Sequence, residues 1–174
     1  MFKKFQKKVF YNDKLYNKII FLSRNKLLYT KFDLKDTFQN RINLIFFHIS
    51  FIFIKIKHNK DKKLYKEFYQ LMFDQVFKKI EINMREIGYG DVMVNKNMKF
   101  LVKVFYDILL NCENYTRMSL ISKNKLIDKY ILLNKIKSTD KHLDLISYFD
   151  QYNTFCLDLS SDSVLKGDLN FNYK

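Results

Sequence analysis

The stretch KKLYKEFYQLMFDQVFKKIEINMREIGYG, residues 62–90, decides the fold class of this chain. Its apolar residues recur every three or four positions, which is the spacing of one face of an α-helix. They are Leu64, Phe68, Leu71, Met72, Val76 and Ile80. Gly88 and Gly90 end the pattern, because glycine adopts backbone conformations that are closed to other residues. The stretch therefore predicts a long helix from about Lys62 to Glu86 and a tight turn into a second helix.

Segments on both sides of this stretch show the same helical period. The predicted helices span residues 13–22, 36–57, 95–113, 124–136 and 140–156. Residues 25–35 lack the period and are predicted as a connector, and the polar residues 58–63 are predicted as a surface loop. No segment of comparable length alternates strictly as a strand would. The sequence therefore predicts an all-α fold, a single compact multi-helix domain with a glycine-containing helix-loop-helix turn.

The most apolar segment runs from Ile42 to Ile54. As an α-helix it rises only about 20 Å, whereas a bilayer core of about 30 Å requires roughly 20 residues. It is therefore predicted as a buried core helix and not as a transmembrane segment, with peripheral membrane contact as the alternative. Asp36 followed by Gln39 resembles a capping box and predicts the start of this helix.

The length of 174 residues fits one domain. We predict three parts: a basic N-terminal extension at 1–12, a helical domain at 13–157 and a polar C-terminal tail at 158–174 that is loose. The first residues interleave lysine with apolar side chains and lack the features of a secretory signal or a transit peptide. The chain is accordingly expected to stay in the compartment where it is made.

The formal net charge of +14 suggests an anionic partner. Only four of the basic residues are arginines, the side chain favoured for bidentate phosphate recognition. Lysine, asparagine, isoleucine and phenylalanine are abundant while proline is absent, which is typical of an AT-rich genome. A solvated lysine surface and a dedicated anion-binding face both remain open. Recognisable nucleic-acid motifs are lacking, and we expect no DNA partner.

No motif in the sequence predicts a cofactor, a metal site or an enzyme. Cys112 and Cys156 lack the paired spacing of a zinc site, and His48 stands in an apolar segment where a core hydrogen bond is the favoured role. The GlyTyrGlyAsp run at 88–91 departs from GxGxxG at the third glycine. A tight turn explains both glycines without a nucleotide.

Two blocks of the sequence form recognisable motifs: INMREIGYGDVMVNKNMK at 82–99 with the following helix, and RNKLLY at 24–29 with the residues after it. Together they resemble the ubiquinol-cytochrome c chaperone family. The matching positions are Arg85, Glu86, Gly88, Gly90, Asp91, Lys96, Phe105 and Tyr106 in one block and Tyr29, Asp36, Thr37, Arg41 and His48 in the other. The chain departs from the family at Lys35, usually a proline, and at Asn40, usually a glycine.

The resemblance implies a helical, non-enzymatic chaperone that binds newly made cytochrome b and assists maturation of the ubiquinol-cytochrome c reductase complex (complex III) of the respiratory chain. It also implies a small helical co-chaperone and the ribosome as further partners. The implied setting is the cytoplasm of an alphaproteobacterium, at the inner membrane surface, or the mitochondrial matrix if the source is eukaryotic. The alternative from the charge is a basic RNA-binding or ribosome-associated protein.

The charged positions of the two blocks are expected to form one partner-binding surface. They are Asp36, Arg41, Arg85, Glu86, Asp91 and Lys96. Buried paired charges that hold helices in register are an equally open interpretation. Exposure of Arg85 separates the two, because a partner-binding arginine lies at the surface.

Overall fold

The computed structural model describes the backbone of residues 2–58, 60–133 and 139–174 and the side chains of 12–58, 60–133 and 142–174. The helices are α1 Phe2–Ser23, α2 Lys26–Thr30, α3 Phe38–Lys57, α4 Lys62–Glu86, α5 Asp91–Glu113, α6 Leu120–Tyr130, α7 Thr139–Asp158 and α8 Ser161–Leu165. A turn of 3-10 helix spans Tyr115–Arg117. Across these described ranges no strand occurs beyond an isolated antiparallel bridge between Leu34 and Leu133. The predicted all-α fold is confirmed.

The central helix of the bundle is α3, and every residue from Ile42 to Ile54 is buried. Helices α1, α4, α5 and α7 pack around it. A helix that is apolar on all sides is stable only when neighbours cover all of its faces, which explains its place in the middle. The predicted core helix is confirmed. Across the described ranges, no helix has the length and apolarity needed to cross a membrane.

Ring contacts give the directions of the helices around α3. Phe105 of α5 lies 5.3 Å from Phe46 and 6.1 Å from Phe53, and Lys57 pairs with Glu113 near the ends of both helices. Helix α5 therefore runs parallel to α3. On α4, Phe77 stacks on Phe46, whereas the earlier Phe68 meets the later Phe53, so α4 is antiparallel. The start of α3 and the turn between α4 and α5 consequently lie at the same end of the bundle.

The start of α3 differs from the prediction. Thr37, with an extended backbone (φ −119°, ψ 155°), is the N-cap, and its hydroxyl accepts a hydrogen bond from the Asn40 backbone N–H at 3.2 Å. Asp36 pairs with Arg41 instead, and Gln39 donates to Asn43. The capping-box interpretation of Asp36 and Gln39 was wrong, because a threonine one residue later occupies the cap position.

Other helix boundaries also differ from the predicted ones. The predicted connector 25–35 contains the short helix α2, and α5 begins at Asp91 with Gly90 as its N-cap. Ser119 caps α6, which begins at Leu120, four residues before the predicted start at 124. The helix ends at Tyr130, so the prediction that residues 131–133 are helical was wrong. The remaining predicted helical residues, 134–136, lie outside the described residues.

The C-terminal segment packs against the domain rather than lying loose. Val164 and Leu169 are buried, and Lys14 of α1 pairs with Asp168 at 2.5 Å. Gly167 has a φ of +68°, and a Cβ there would lie 2.9 Å from the backbone nitrogen of Leu15. The predicted loose tail was therefore wrong, since its few apolar residues complete the core. The division of the chain at residues 12 and 157 stays a prediction.

Candidate functional site

The charged pair of the first block lies at the surface beside the start of α3. Arg41 holds Asp36 by a two-pronged contact, Nε to Oδ1 at 2.7 Å and Nη2 to Oδ2 at 2.8 Å. These hydrogen bonds hold the pKa of the Asp36 carboxyl below its usual value. The hydroxyl of the half-buried Tyr29 donates to the Ser23 carbonyl at 2.8 Å. Both charged side chains are about half exposed, so they remain accessible to a partner.

Asn40 connects the first block to the chain segment that follows α6. Its buried side chain donates to the carbonyls of Lys35 and Leu132, each at 2.7 Å, and accepts from the Leu132 N–H at 2.9 Å. Asn43 donates to the Tyr130 carbonyl at 2.6 Å. The sequence showed Asn40 only as a departure from the family and Asn43 only as a polar residue in an apolar helix, and it did not predict their hydrogen bonds. Their signal is burial, because a buried amide requires hydrogen-bond partners.

His48 is a core residue. Its Nδ1–H donates to the Leu44 carbonyl at 2.6 Å, and its Nε2 accepts from the Tyr148 hydroxyl at 2.8 Å. The carbonyl can only accept, so it fixes this tautomer. Burial lowers the pKa of His48 to about 4, which makes the ring neutral at pH 7. The hydrogen-bonding role predicted for His48 is confirmed, and the residue lies away from any surface.

The second block surrounds the turn between α4 and α5. Arg85 contacts Glu81 through Nη2 at 2.9 Å and reaches across the turn to Asp91. The hydrogen bond to Asp91 is the main cause that raises the pKa of Arg85. Gly88 has a φ of +97°, a conformation that favours glycine, and Gly90 has an ordinary φ of −72°. The ion pair and the glycine together set how α5 leaves α4.

The turn block is exposed, unlike a buried charge network. The side chain of Arg85 is 44% exposed and that of Asp91 is 80% exposed. Glu86 and Lys96 are exposed too, and neither forms an ion pair within the described residues. Exposure of Arg85 favours the partner-binding interpretation over the buried-pair one.

The last two positions of the block point in different directions. Phe105 is buried, with its ring 5.3 Å from Phe46 and 5.7 Å from Phe77. Tyr106 is 43% exposed and lies beside Phe73. Phe105 therefore holds α5 against α3 and α4, whereas Tyr106 is available on the surface.

Exposed apolar side chains surround the charged turn. We define them as the turn face: Ile82, Ile87, Tyr89, Val92 and Met93. Val92 is 86% exposed and Ile87 is 59% exposed. Single exposed apolar residues are common, and here five occur within twelve positions of the chain. In the sequence they lie on both sides of Arg85 and Asp91.

The structure brings the two blocks to one end of the bundle without joining their charges. The helix directions place Asp36 and Arg41 at the same end as Arg85 and Asp91. In the part of the chain that the structure describes, no hydrogen bond or ion pair links the first pair to the second. The two pairs therefore lie at the same end of the bundle as separate ion pairs.

The described side chains do not assemble a metal centre. No group of three or more His, Cys, Asp or Glu among them could hold an ion. Cys112 and Cys156 are buried, and burial raises the pKa of both thiols, which keeps them protonated. The turn between α4 and α5 combines exposed apolar side chains with the exposed ion pair Arg85–Asp91, and the exposed pair Asp36–Arg41 lies at the same end.

The fold and this surface define a helical binding protein. Residues 30–171 match the family described as ubiquinol-cytochrome C chaperone, which is most of the chain. The protein therefore belongs to the ubiquinol-cytochrome c chaperone family, and it is a chaperone of complex III assembly. The resemblance seen in the two sequence blocks is confirmed.

A solved structure shows the same fold. The chain superposes on the crystal structure of the Cbp3 homolog from Brucella abortus with a TM-score of 0.83 at 21% sequence identity. The similarity covers 98% of this chain and 93% of that one. A search of curated proteins finds no match.

Proposed function

We propose that this protein binds newly made cytochrome b and assists its maturation into complex III, without catalysing a reaction. Family membership supports the role in complex III assembly, and the turn face is the surface that we propose binds cytochrome b. The observation that carries the proposal is the group of exposed apolar side chains around Arg85 and Asp91 at the end of the bundle. A membrane protein awaiting assembly exposes apolar segments, and such a face covers them.

The charged residues give the contact its orientation. Arg85 and Asp91 accompany the turn face in the chain, and Asp36 and Arg41 lie at the same end of the bundle, so these charges form the rim of the proposed contact. Charges at the rim of an apolar interface fix register and partner choice more than they add affinity. In this arrangement Glu86 and Lys96 extend the rim, while Thr37 and His48 support it from within.

The proposal includes a location and further partners. We place the chaperone in the cytoplasm at the inner membrane surface of an alphaproteobacterium, since that is where cytochrome b is inserted. A small helical co-chaperone and the ribosome complete the set of partners. These assignments rest on the family, and the net charge of +14 is compatible with an anionic neighbour.

The decisive experiment is affinity purification of an Arg85→Ala variant from cells that synthesise cytochrome b. Because Arg85 is exposed, the variant should keep the thermal unfolding midpoint of the wild type while recovery of cytochrome b and the level of complex III fall together. Lys78→Ala is the matched control, since Lys78 is an exposed basic residue on the same helix. It should leave all three readings unchanged.

The net charge favours a second candidate, an RNA-binding protein. Recovery of ribosomal RNA in place of cytochrome b from the same purification would establish that candidate. A stable Arg85→Ala protein that still supports normal complex III would remove Arg85 from the binding surface.

A further inference from the structure

The outward side of α5 carries a regular mixture of lysine and apolar residues. We define this lysine face as Lys96, Lys99, Phe100, Lys103, Tyr106 and Leu110. Its members recur three or four residues apart, so they lie along one side of the helix. The apolar members are well exposed, Phe100 at 56% and Leu110 at 62%. From Lys96 to Leu110 the face extends about 20 Å along the helix.

The charge of the lysine face is not neutralised within the molecule. Among the described side chains, none forms an ion pair or a hydrogen bond with Lys96, Lys99 or Lys103. The two nearest carboxylates on α5 have other partners. Asp91 pairs with Arg85, and Asp107 pairs with Lys129 at 2.6 Å and accepts a hydrogen bond from Tyr130. The face is therefore basic from Lys96 to Lys103, and its second half, Tyr106 and Leu110, carries no charge of its own.

Half-buried aromatic rings border this face on α4. Tyr65, Tyr69 and Phe73 follow one another at four-residue spacing, with ring centroids 5.9 and 6.0 Å apart. Tyr106 of the lysine face extends the row, 6.1 Å from Phe73. Tyrosine combines an apolar ring with a polar hydroxyl, and it is enriched where a protein meets the headgroup region of a bilayer.

We propose that the lysine face of α5 docks on an anionic lipid bilayer surface, with the helix axis parallel to the membrane plane. Phe100 and Leu110 enter the headgroup boundary, and the lysines extend their amines to the lipid phosphates. This inference rests on the proposed location at the inner membrane. It names the protein surface and the lipid charge that hold the chain there.

The residue types distinguish a lipid surface from a peptide or a nucleic acid. Lysine is a point charge on a flexible stem, which suits a fluid array of phosphates, whereas arginine provides the planar fork for fixed phosphate geometry. The lysine face contains no arginine. Phe100 lies between the lysines and Leu110 lies two turns beyond Lys103 on the same side of the helix, so both kinds of side chain reach the same plane. RNA has no apolar layer to receive Phe100 and Leu110.

The lysine face follows the turn face along the chain, and the last two residues of the turn face lie at the start of α5. Val92 and Met93 belong to the first turn of the helix, and Lys96 opens the lysine face within the next turn. Docking of α5 on the bilayer therefore holds the turn face beside the membrane surface, where an apolar client emerges. The lipid contact itself requires no client, so it can be measured separately.

The test is co-sedimentation of the full chain with phosphatidylcholine vesicles that contain or lack phosphatidylglycerol. We expect binding to the anionic vesicles that weakens as salt rises. Each lysine near an anionic surface contributes about fivefold to partitioning, so the triple variant Lys96→Gln, Lys99→Gln, Lys103→Gln should bind on the order of 100-fold more weakly. Leu110→Ser should also weaken binding, by a smaller factor.

Matched variants make the outcomes separable. The triple variant Lys63→Gln, Lys78→Gln, Lys79→Gln has the same net charge and changes exposed lysines of α4, so it should bind vesicles like the wild type. Arg85→Ala should also retain vesicle binding, because it affects only the client contact. Equal vesicle binding by the two lysine triples overturns the inference, and so does binding of poly(U) RNA without binding of vesicles. Neither result bears on recovery of cytochrome b, which tests the proposed function.

Discussion

The two family-like blocks lie at the same end of the bundle and differ in what they contact. In the first block, His48 is fully buried and hydrogen-bonded to Tyr148, a hundred positions later in the chain. In the second block, Arg85, Gly88 and Asp91 are exposed. The difference shows that one family pattern combines positions that hold the fold with positions that remain free for a partner.

The comparison also separates residues within each block. Arg41 and Asp36 are the exposed part of the first block, and Phe105 is the buried part of the second. Membership of a motif therefore does not indicate whether a residue is structural. Exposure and hydrogen-bond partners do, and they make different predictions for stability.

The largest expected effect is a loss of stability in mild acid that depends on His48. Burial lowers the folded-state pKa of His48 from 6.5 to about 4, so between these values only the unfolded chain binds a proton. The free energy of unfolding should therefore fall by about 3 kcal/mol as pH drops from 6.5 to 4, with no contribution from His48 above 6.5. Urea unfolding across this range measures it. His48→Gln, which has no titrating ring, is the control; an identical pH profile for both proteins would refute the prediction.

The next effect compares tyrosine hydroxyls in a buried and an exposed setting. Tyr148→Phe removes the donor to His48 Nε2 and leaves a buried acceptor without a partner, which should lower the free energy of unfolding by about 2 kcal/mol. Tyr89→Phe removes a hydroxyl from the exposed turn and should change it by less than about 0.5 kcal/mol. Equal losses in the two variants would show that the blocks do not differ as described.

The smallest effect compares two glycines of the same turn. Neither would bring an added Cβ within 4 Å of another atom, so only backbone conformation distinguishes them. Gly88→Ser places a side chain at a φ of +97° and should cost about 1 kcal/mol. Gly90→Ser should be neutral or slightly stabilising, because serine is a preferred N-cap and φ there is −72°. Thermal unfolding that ranks the two variants the other way would contradict this account.

Local patterns in the sequence predicted the helices that bury a continuous stripe of apolar residues along one side. Helix α4 begins and ends as its apolar period indicates, since Leu64 through Ile80 repeat the pattern over several turns. The short helix α2 was missed because five residues are too few to show a period. The cap at Thr37 was missed because Asp36 is an equally good cap by residue type, and only its pairing with Arg41 excludes it.

The candidate site was predictable in its residue types and not in its arrangement. Gly88 and Arg85 are identifiable from the sequence alone, but the bridge from Arg85 to Asp91 depends on the angle at which α5 leaves the turn. The apolar members of the turn face were unrecognised, since Val92 and Met93 resemble core residues until the packing of α5 is known. The partner of His48, Tyr148, lies a hundred residues away, a distance that no local pattern covers.

The triple hydrogen bonding of Asn40 has a consequence for the order of events during synthesis. Leu132 supplies two of its partners, and Leu34 pairs with Leu133 beside them. The segment that carries Asp36 and leads into α3 therefore lacks its final anchor until the ribosome has added roughly ninety further residues, which at 5–20 residues per second takes about 5 to 20 s. The turn of the second block needs only α4 and the start of α5. The exposed block is thus complete before the block that precedes it in the chain.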